Sequence, residues 1–386
     1  MSESVLRVAM VGHGFMGAAH SQGWRVAPRF FSLPAAVEMT CVVGKDAVRA
    51  REAAERWGWA ASVDDWRQVV EDPDIDVIDI VTPGDSHAEI AIEALRNGKH
   101  VLCEKPLANS LEEAEAMAAA ASASDSVAMV GFTYRRVPAV ALARRLVAAG
   151  DVGRIQQVTA SYLQDWLVDP EAPLTWRLQK ERAGSGVLGD LGAHAIDLAQ
   201  YVTGMLLNEV SGTLQTIVSE RPLLGETVGL SGTARLERGA VTVDDRAMIV
   251  GRLDGGALLT VETSRFSTGR KNALRLEVSG TKGAVLFDLE DMNVLQHFDA
   301  TLPNDRQGFT RILATEPVHP YIDAWWPAGH MLGYEHAFSH QVVHFITAIA
   351  ESKAVSPTFA DGLQVQRVLA AVESSAANGS AWSSTA

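Results

Sequence analysis

The sequence predicts an α/β domain built on a doubly wound parallel sheet, followed by an α+β domain built on a large, mainly antiparallel open sheet. Three observations predict it. Apolar residues 6–11 run straight into Gly12-His-Gly-Phe-Met-Gly17 and then into a helical pattern. Strand-like runs at 8–11, 39–43, 77–82, 100–103 and 127–132 alternate with helical patterns, which is how a parallel sheet reads. Beyond about residue 131 strand-like runs follow one another without regular helices between them, the mark of an antiparallel sheet. The domain boundary is therefore expected between residues 1–131 and 132–386.

The first strand and its glycines set the function class. Gly12 permits a tight turn, Gly14 lets the backbone approach a pyrophosphate, and Gly17 lets the helix pack close to the strand. The helix opened by Phe15 and Met16 turns its amides to the phosphates. With a strand before and a helix after, this is a dinucleotide-binding motif of Rossmann type.

The second strand ends Cys41-Val-Val-Gly-Lys-Asp46. An acid at that end would bind the ribose 2′-hydroxyl of NAD, and a basic residue would accommodate the 2′-phosphate of NADP. Gly44 holds the acid's position and Lys45 follows. The expected cofactor is NAD(P), leaning to NADP or dual use, with Asp46 still in reach of the ribose. A helix is expected over 46–57. The strand over 77–82 opens into Thr82-Pro-Gly-Asp-Ser-His87, where Thr82, Pro83 and His87 are candidate nucleotide contacts; a turn capped by Asp85 or Ser86 explains the same residues.

A helix over 87–97, stopped by Gly98, leads to the strand at 100–103 and the stretch Val101-Leu-Cys-Glu-Lys-Pro-Leu107. Here an apolar strand ends in a carboxylate, an amine and a ring that restricts the backbone. Ligands collect at such strand ends, so Glu104 and Lys105 are candidate cofactor contacts and Lys105 a candidate catalytic residue. Ser110 caps a helix over 111–121, with Glu113 three residues on. Tyr134-Arg-Arg136 follows the last strand; Tyr134 and Arg135 are candidate substrate contacts at an interdomain cleft, with a solvated hinge as the alternative.

The second domain begins with a helix over 139–149, stopped by Gly150, and continues with strands near 155–162, 209–218, 240–250, 257–263, 273–278 and 284–288. Within it lies Gly184-Ser-Gly-Val-Leu-Gly-Asp-Leu-Gly-Ala-His-Ala-Ile-Asp-Leu-Ala-Gln-Tyr201. Asp190 and His194 stand four apart, so on a helix they project from one face, with Asp197 three further on. An imidazole beside a carboxylate is a workable proton-transfer pair. A capping Asp190 and a core-bonded His194 are the plain alternative.

Bulk properties exclude other classes. At 386 residues and 47% hydrophobic content the chain can bury two cores. A formal charge of −14 and a pI near 5.2 argue against a nucleic-acid partner. Residues 1–11 lack a signal peptide's basic start, and no apolar run approaches roughly 18 residues, so a cytoplasmic protein with no membrane partner is expected. Cys41 and Cys103 sit in apolar runs and read as core residues rather than a disulfide. Cys103, near His87 and His100, lacks the paired short spacing of a zinc site; no metal is expected. The Ala/Ser-rich tail, 373–386, is expected to fray at its end.

The strand-GHGFMG-helix, the CEKPLA stretch and GDLGAHAIDLAQYVTG, in this order, resemble the Gfo/Idh/MocA family of nicotinamide-dependent oxidoreductases over nearly the whole chain. The resemblance implies a catalytic trio of Lys105, Asp190 and His194. Tyr162-Leu-Gln-Asp-Trp166, Trp176-Arg177 and His319-Pro-Tyr-Ile-Asp-Ala-Trp-Trp-Pro327 are similar to members acting on pyranoses and cyclitols. Aromatic faces pack on a sugar's CH surfaces, while polar groups meet its hydroxyls. Gln164, Trp166, Trp176, Arg177 and His319 thus join Tyr134, Arg135, Asp190 and His194 as candidate substrate contacts.

The implied reaction passes a hydride from a ring secondary alcohol to the nicotinamide and its proton to His194 or Lys105, between which the residues do not decide. Transient oxidation with a recycled nucleotide, giving net elimination, epimerisation or glycoside cleavage, is a second reading; a nucleotide sensor without chemistry is a third. A large open sheet must cover its second face, so a homodimer or homotetramer through that sheet is expected.

Overall fold

Six short apolar strands make the first sheet in the computed structural model, which describes residues 5–228 and 231–386. They are β1 Val5–Val11, β2 Ala36–Val43, β3 Ala61–Val63, β4 Val77–Ile80, β5 His100–Cys103 and β6 Ala128–Val130. All pair in parallel, in the order β3-β2-β1-β4-β5-β6. The order reverses between β1 and β4, the switch point at which open sheets of this kind receive nucleotides. β4 is buried along its whole length, including Asp79, as a strand covered on both faces must be.

The chain divides into two compact units, but not at a single point. The first runs to Thr133 and also contains Gly333–Leu363; the second holds Tyr134–Leu332 and Gln364–Ala386. This differs from one cut at 131/132. The returning segment carries the Tyr334–Ala350 helix, whose Val342, Phe345 and Ile346 join the core of the first unit. Phe345 meets Trp24 of the Phe15–Phe30 helix edge to face, with ring centroids 6.3 Å apart. Apolar area of that size, out of water only against the first sheet's helix layer, fixes where the segment belongs.

The second unit is built on nine strands in the order β16-β15-β14-β13-β7-β12-β11-β8-β17. In chain order these are β7 Ile155–Leu163, β8 Leu207–Gln215, β11 Arg246–Leu253, β12 Leu258–Ser264, β13 Ala273–Gly280, β14 Gly283–Asp288, β15 Val294–Asp299, β16 Phe309–Leu313 and β17 Ser383–Ser384; β9 Glu220–Val228 and β10 Ser231–Ala240 form a separate hairpin. Every pair in the large sheet is antiparallel except β7 with β12. The helices Pro138–Ala149 and Ala193–Thr203 cover one face. The inward residues of β11, Ala247, Ile249 and Leu253, are buried, while Met248, Val250 and Arg252 between them are exposed.

Two expectations about strands change. The strand read over 240–250 begins only at Arg246, because Asp244 and Asp245 are buried and bond backbone amides instead of extending the ladder. The tail does not fray: Ser383 and Ser384 pair with β8, and the Thr385 hydroxyl donates to the Leu207 carbonyl at 2.6 Å. An edge strand offers unpaired groups to any extended segment that reaches it. Among the described residues no helix is long and apolar enough to cross a membrane.

Candidate active site

At the β1–helix junction, Gly12 has φ +114°, and a Cβ there would lie 3.0 Å from the Val81 carbonyl group. A Cβ at Gly17 would meet the Gly12 oxygen at 3.0 Å, whereas at Gly14 it would meet nothing within 4 Å. The turn is thus closed underneath and open where a pyrophosphate approaches. The Phe15–Phe30 helix starts without a side-chain cap, so its first amides suit an anion. Phe15 is exposed, with its ring stacked on Tyr334 at 6.5 Å; Met16 packs into the core of the first unit.

The neighbouring strand ends hold the other nucleotide candidates. A side chain at Gly44 would meet the His13 ring, which would have to move aside. Lys45 is exposed, and Asp46 caps the Ala47–Trp57 helix by accepting the Arg49 amide at 3.1 Å. The buried His87 places its two ring nitrogens 3.0 Å from the carbonyls of Thr82 and Pro106. It ties the loop after β4, with Thr82 and Pro83, to the loop after β5. The half-buried Lys105 projects from that second loop.

Glu104 is 4% exposed, and its carboxylate faces inward. Oε1 lies 3.0 Å from His20 Nε2, and Oε2 accepts the Lys105 amide at 3.2 Å. The other face of His20 meets Asp79 at 2.9 Å, and Asp79 in turn accepts the Trp24 indole N–H at 2.7 Å. Burial would push the His20 pKa down, but the charges and hydrogen bonds of Asp79 and Glu104 outweigh it and raise the value to about 10. His20 is an imidazolium clamped between two carboxylates.

In the second unit, Leu188–Gly192 forms a π-helical turn that runs into the Ala193–Thr203 α-helix. Turns of this kind frequently mark functional sites, and Asp190 therefore stands on a π turn rather than on regular α-helix. Asp244 fixes its start, accepting the amides of Gly186 at 2.8 Å and Leu188 at 2.7 Å. From Gly186 to Gln200 every residue is buried except Asp190 and His194, which are half-buried. Asp190 accepts a charge-assisted bond from Arg265 at 2.8 Å. The His194 ring lies 4.7 Å from the Tyr134 ring and 5.9 Å from that of Tyr162.

A polar chain extends from those tyrosines. The Tyr134 and Tyr162 hydroxyls are 2.8 Å apart, Tyr162 donates to Asn272 at 2.7 Å, Gln164 donates to Asn272 at 2.9 Å, and Trp166 donates to Gln164 at 2.9 Å. The Trp166 ring is 41% exposed, and the Arg265 guanidinium sits 5.4 Å from its centroid. Buried Arg221 holds the segment that joins Trp166 to Trp176, donating to the carbonyls of Leu167, Asp169 and Ala172. Arg177 lies 4.4 Å from the Trp176 ring; burial lowers its pKa, with Asp190 opposing and Arg265 adding to the shift.

Two candidate substrate contacts also serve the fold. Arg135 is 4% exposed and forks onto Asp197, with Nε 3.0 Å from Oδ2; a buried bidentate pair is a packing element. His319 uses Nδ1 to accept the Glu316 amide at 3.0 Å, closing its own turn. Sequence reasoning missed Arg265, Asn272, Asp244, His20 and Asp79. Only Asp79 carried a signal, a carboxylate in the middle of the apolar run Val77-Ile-Asp-Ile80, where it demands a partner.

A dinucleotide turn, a lysine at a strand's carboxyl end and a carboxylate and imidazole kept accessible on a buried helix define a nicotinamide-dependent oxidoreductase. The chain belongs to the Gfo/Idh/MocA family: residues 6–132 match the oxidoreductase family's NAD-binding Rossmann fold, and residues 140–286 match the GFO/IDH/MocA C-terminal domain. It is 44% identical over 377 residues to levoglucosan dehydrogenase of Pseudarthrobacter phenanthrenivorans, covering 96% of each chain. It is 30% identical over 300 residues to scyllo-inositol 2-dehydrogenase (NAD(+)) of Bacillus subtilis, covering 78% and 77%. A solved structure of levoglucosan dehydrogenase in complex with NADH and L-sorbose superposes with a TM-score of 0.94 at 42% identity over 99% of both chains.

Proposed function

We propose that the protein is a sugar or cyclitol dehydrogenase that oxidises a ring secondary alcohol, with Lys105, Asp190 and His194 as its catalytic residues. The observation that carries this is the accessibility of Asp190 and His194 alone along an otherwise buried stretch of fifteen residues, 186–200. Burial without function would hide a carboxylate and an imidazole or pair them away from solvent.

Bound NAD(P), gripped by the Gly12–Gly17 turn and the strand-end loops, supplies the hydride acceptor. The chain's residues do the rest. His194 takes the hydroxyl proton, its ring packed at a tilt against Tyr134 and Tyr162. Lys105 hydrogen-bonds the reacting oxygen and stabilises the negative charge that develops on it. Asp190, held by Arg265, accepts a neighbouring hydroxyl. Trp166 and Trp176 offer apolar faces to the ring's CH groups, while Gln164 and Arg177 meet hydroxyls.

Levoglucosan heads the candidate substrates, since the 44% identical relative is named for it, followed by inositols and pyranoses. A panel of these with NAD and with NADP, followed by absorbance of the reduced nicotinamide, is expected to show turnover on at least one ring alcohol. No turnover on any would sink the reading; product formed without accumulation of reduced nucleotide would indicate the redox-neutral chemistry instead. Both nucleotides are expected to work, because Gly44 sets no carboxylate against a 2′-phosphate and Lys45 stands beside it. An NADP efficiency more than about 100-fold below that of NAD would overturn dual use.

The large sheet's uncovered face exposes Met248, Val250 and Leu258, apolar side chains that a second copy would remove from water. A homodimer or homotetramer follows, acting in the cytoplasm, where the two buried free cysteines would stay reduced. Light scattering is expected to give two or four times the chain mass; a monomer at micromolar concentration contradicts it.

A further inference from the structure

We propose that His20 is a positioning residue for the reaction, fixing through Glu104 the turn from which Lys105 acts. The inference rests on Lys105 being catalytic, as proposed above. Four observations carry it, all within the first unit. His20 lies on the Phe15–Phe30 helix, whose N-terminus opens the dinucleotide turn, and it is 2% exposed. Its ring is held on both nitrogens, by Asp79 of β4 and by Glu104 just past β5. The Glu104 oxygen that faces His20 fills the space at the end of β6 where a Cβ on Gly131 would stand, 2.6 Å away. The second Glu104 oxygen accepts the Lys105 amide.

Each link removes a freedom. Trp24 orients Asp79, Asp79 orients the imidazole, the imidazole and the bare backbone at Gly131 leave the carboxylate one place to sit, and the carboxylate anchors the amide of the next residue. The helix that receives the pyrophosphate and the loop that bears the amine are thereby joined by charge-assisted bonds, which are short and directional. A solvated glutamate would leave the Lys105 backbone to the loop's own motion. A misplacement of about 1 Å at a reacting group costs up to roughly 100-fold in rate.

The test is a double-mutant cycle in kcat, with NADH affinity and thermal midpoint measured alongside. His20→Gln and Glu104→Gln are each expected to lower kcat by roughly 10- to 100-fold while NADH affinity stays within about threefold. The double variant is expected to be no slower than Glu104→Gln alone, because His20 acts only through that carboxylate. Losses that multiply, or an NADH affinity that falls as far as kcat, overturn the proposal and make His20 a packing residue. Should His20→Gln not fold, Trp24→Phe keeps an aromatic ring and removes the bond to Asp79 along with some core volume, whose cost the thermal midpoint reads. It is expected to slow kcat a few-fold in the native background and not at all in Glu104→Gln; native kcat in Trp24→Phe overturns the proposal. Lys105→Met separates the two levels. An active Lys105→Met ends the reading of Lys105 as catalytic, whereas an inactive Lys105→Met beside a fully active His20→Gln ends only the assignment of His20.

Discussion

Lys105→Met is expected to lower kcat by about a thousandfold, within the range that proton transfer and oxyanion stabilisation jointly contribute, and to leave NADH binding within about threefold. Methionine keeps the length and apolar stem of lysine and removes only the ammonium. In the reading proposed above, most of the nucleotide's grip comes from the uncapped helix and the closed turn of Gly12 and Gly17 and not from the Lys105 ammonium. The two readouts should therefore separate. Titration of NADH by protein fluorescence, beside steady-state rates on the best substrate of the panel, measures both. If affinity and turnover fall together, Lys105 holds the loop and does not touch the reacting oxygen.

The second large effect is on stability. His20 is protonated in the folded protein with a pKa of about 10, against 6.5 for a solvated imidazole. A value raised by folding means that the imidazolium stabilises the native state. That contribution is complete below pH 6.5, declines as pH rises above it, and is gone once pH passes about 10. Its ceiling is roughly 3–5 kcal/mol, a large share of what holds a typical protein folded. Urea midpoints measured from pH 7 to 10 are expected to fall in the native protein. In His20→Gln they are expected to start lower, since Asp79 and Glu104 then lack their cation, and to stay flatter across the same interval. Cys103, buried beside both carboxylates and pushed well above its ordinary range, stays protonated when folded while the unfolded thiol ionises above about pH 8.5, so it adds a fall of its own in the upper part of the interval, in both proteins. Parallel curves for the two proteins would refute the assignment of the charge to His20.

Much of the first unit is legible in the sequence, because its strands are short and apolar and the helices between them are bounded by local signals. Ser110 with Glu113 closes the capping box that their spacing announces, and in the second unit Gly150 ends the Pro138–Ala149 helix at φ +86°. The candidate site is legible where it is local, at Gly12–Gly17, at Glu104–Lys105 and at the four-residue spacing of Asp190 and His194. What stayed hidden is joined over long distances in the chain. His20 and Asp79 are 59 residues apart, and Asp190 and Arg265 are 75 apart. Periodicity tells which face of a helix is buried but never against what. For the same reason the return of Gly333–Leu363 to the first unit could not be read from its composition, since its apolar side chains would suit either core. The tail misled in the opposite direction. Small polar residues read as a frayed end, yet Ser383–Ser384 and Thr385 need only backbone and hydroxyl groups to complete a sheet edge.

The contact between His13 and Gly44 bears on how such a protein can change its nucleotide by descent. An acid at position 44 would favour NAD, but the imidazole occupies the room its first carbon needs. A replacement there requires the half-buried His13 ring to swing aside. Gly44→Asp together with His13→Ala is therefore expected to tighten NAD more than Gly44→Asp alone. Calorimetric titration of the single and paired replacements would reveal that dependence, and equal affinity gains in both backgrounds would show that the ring yields freely.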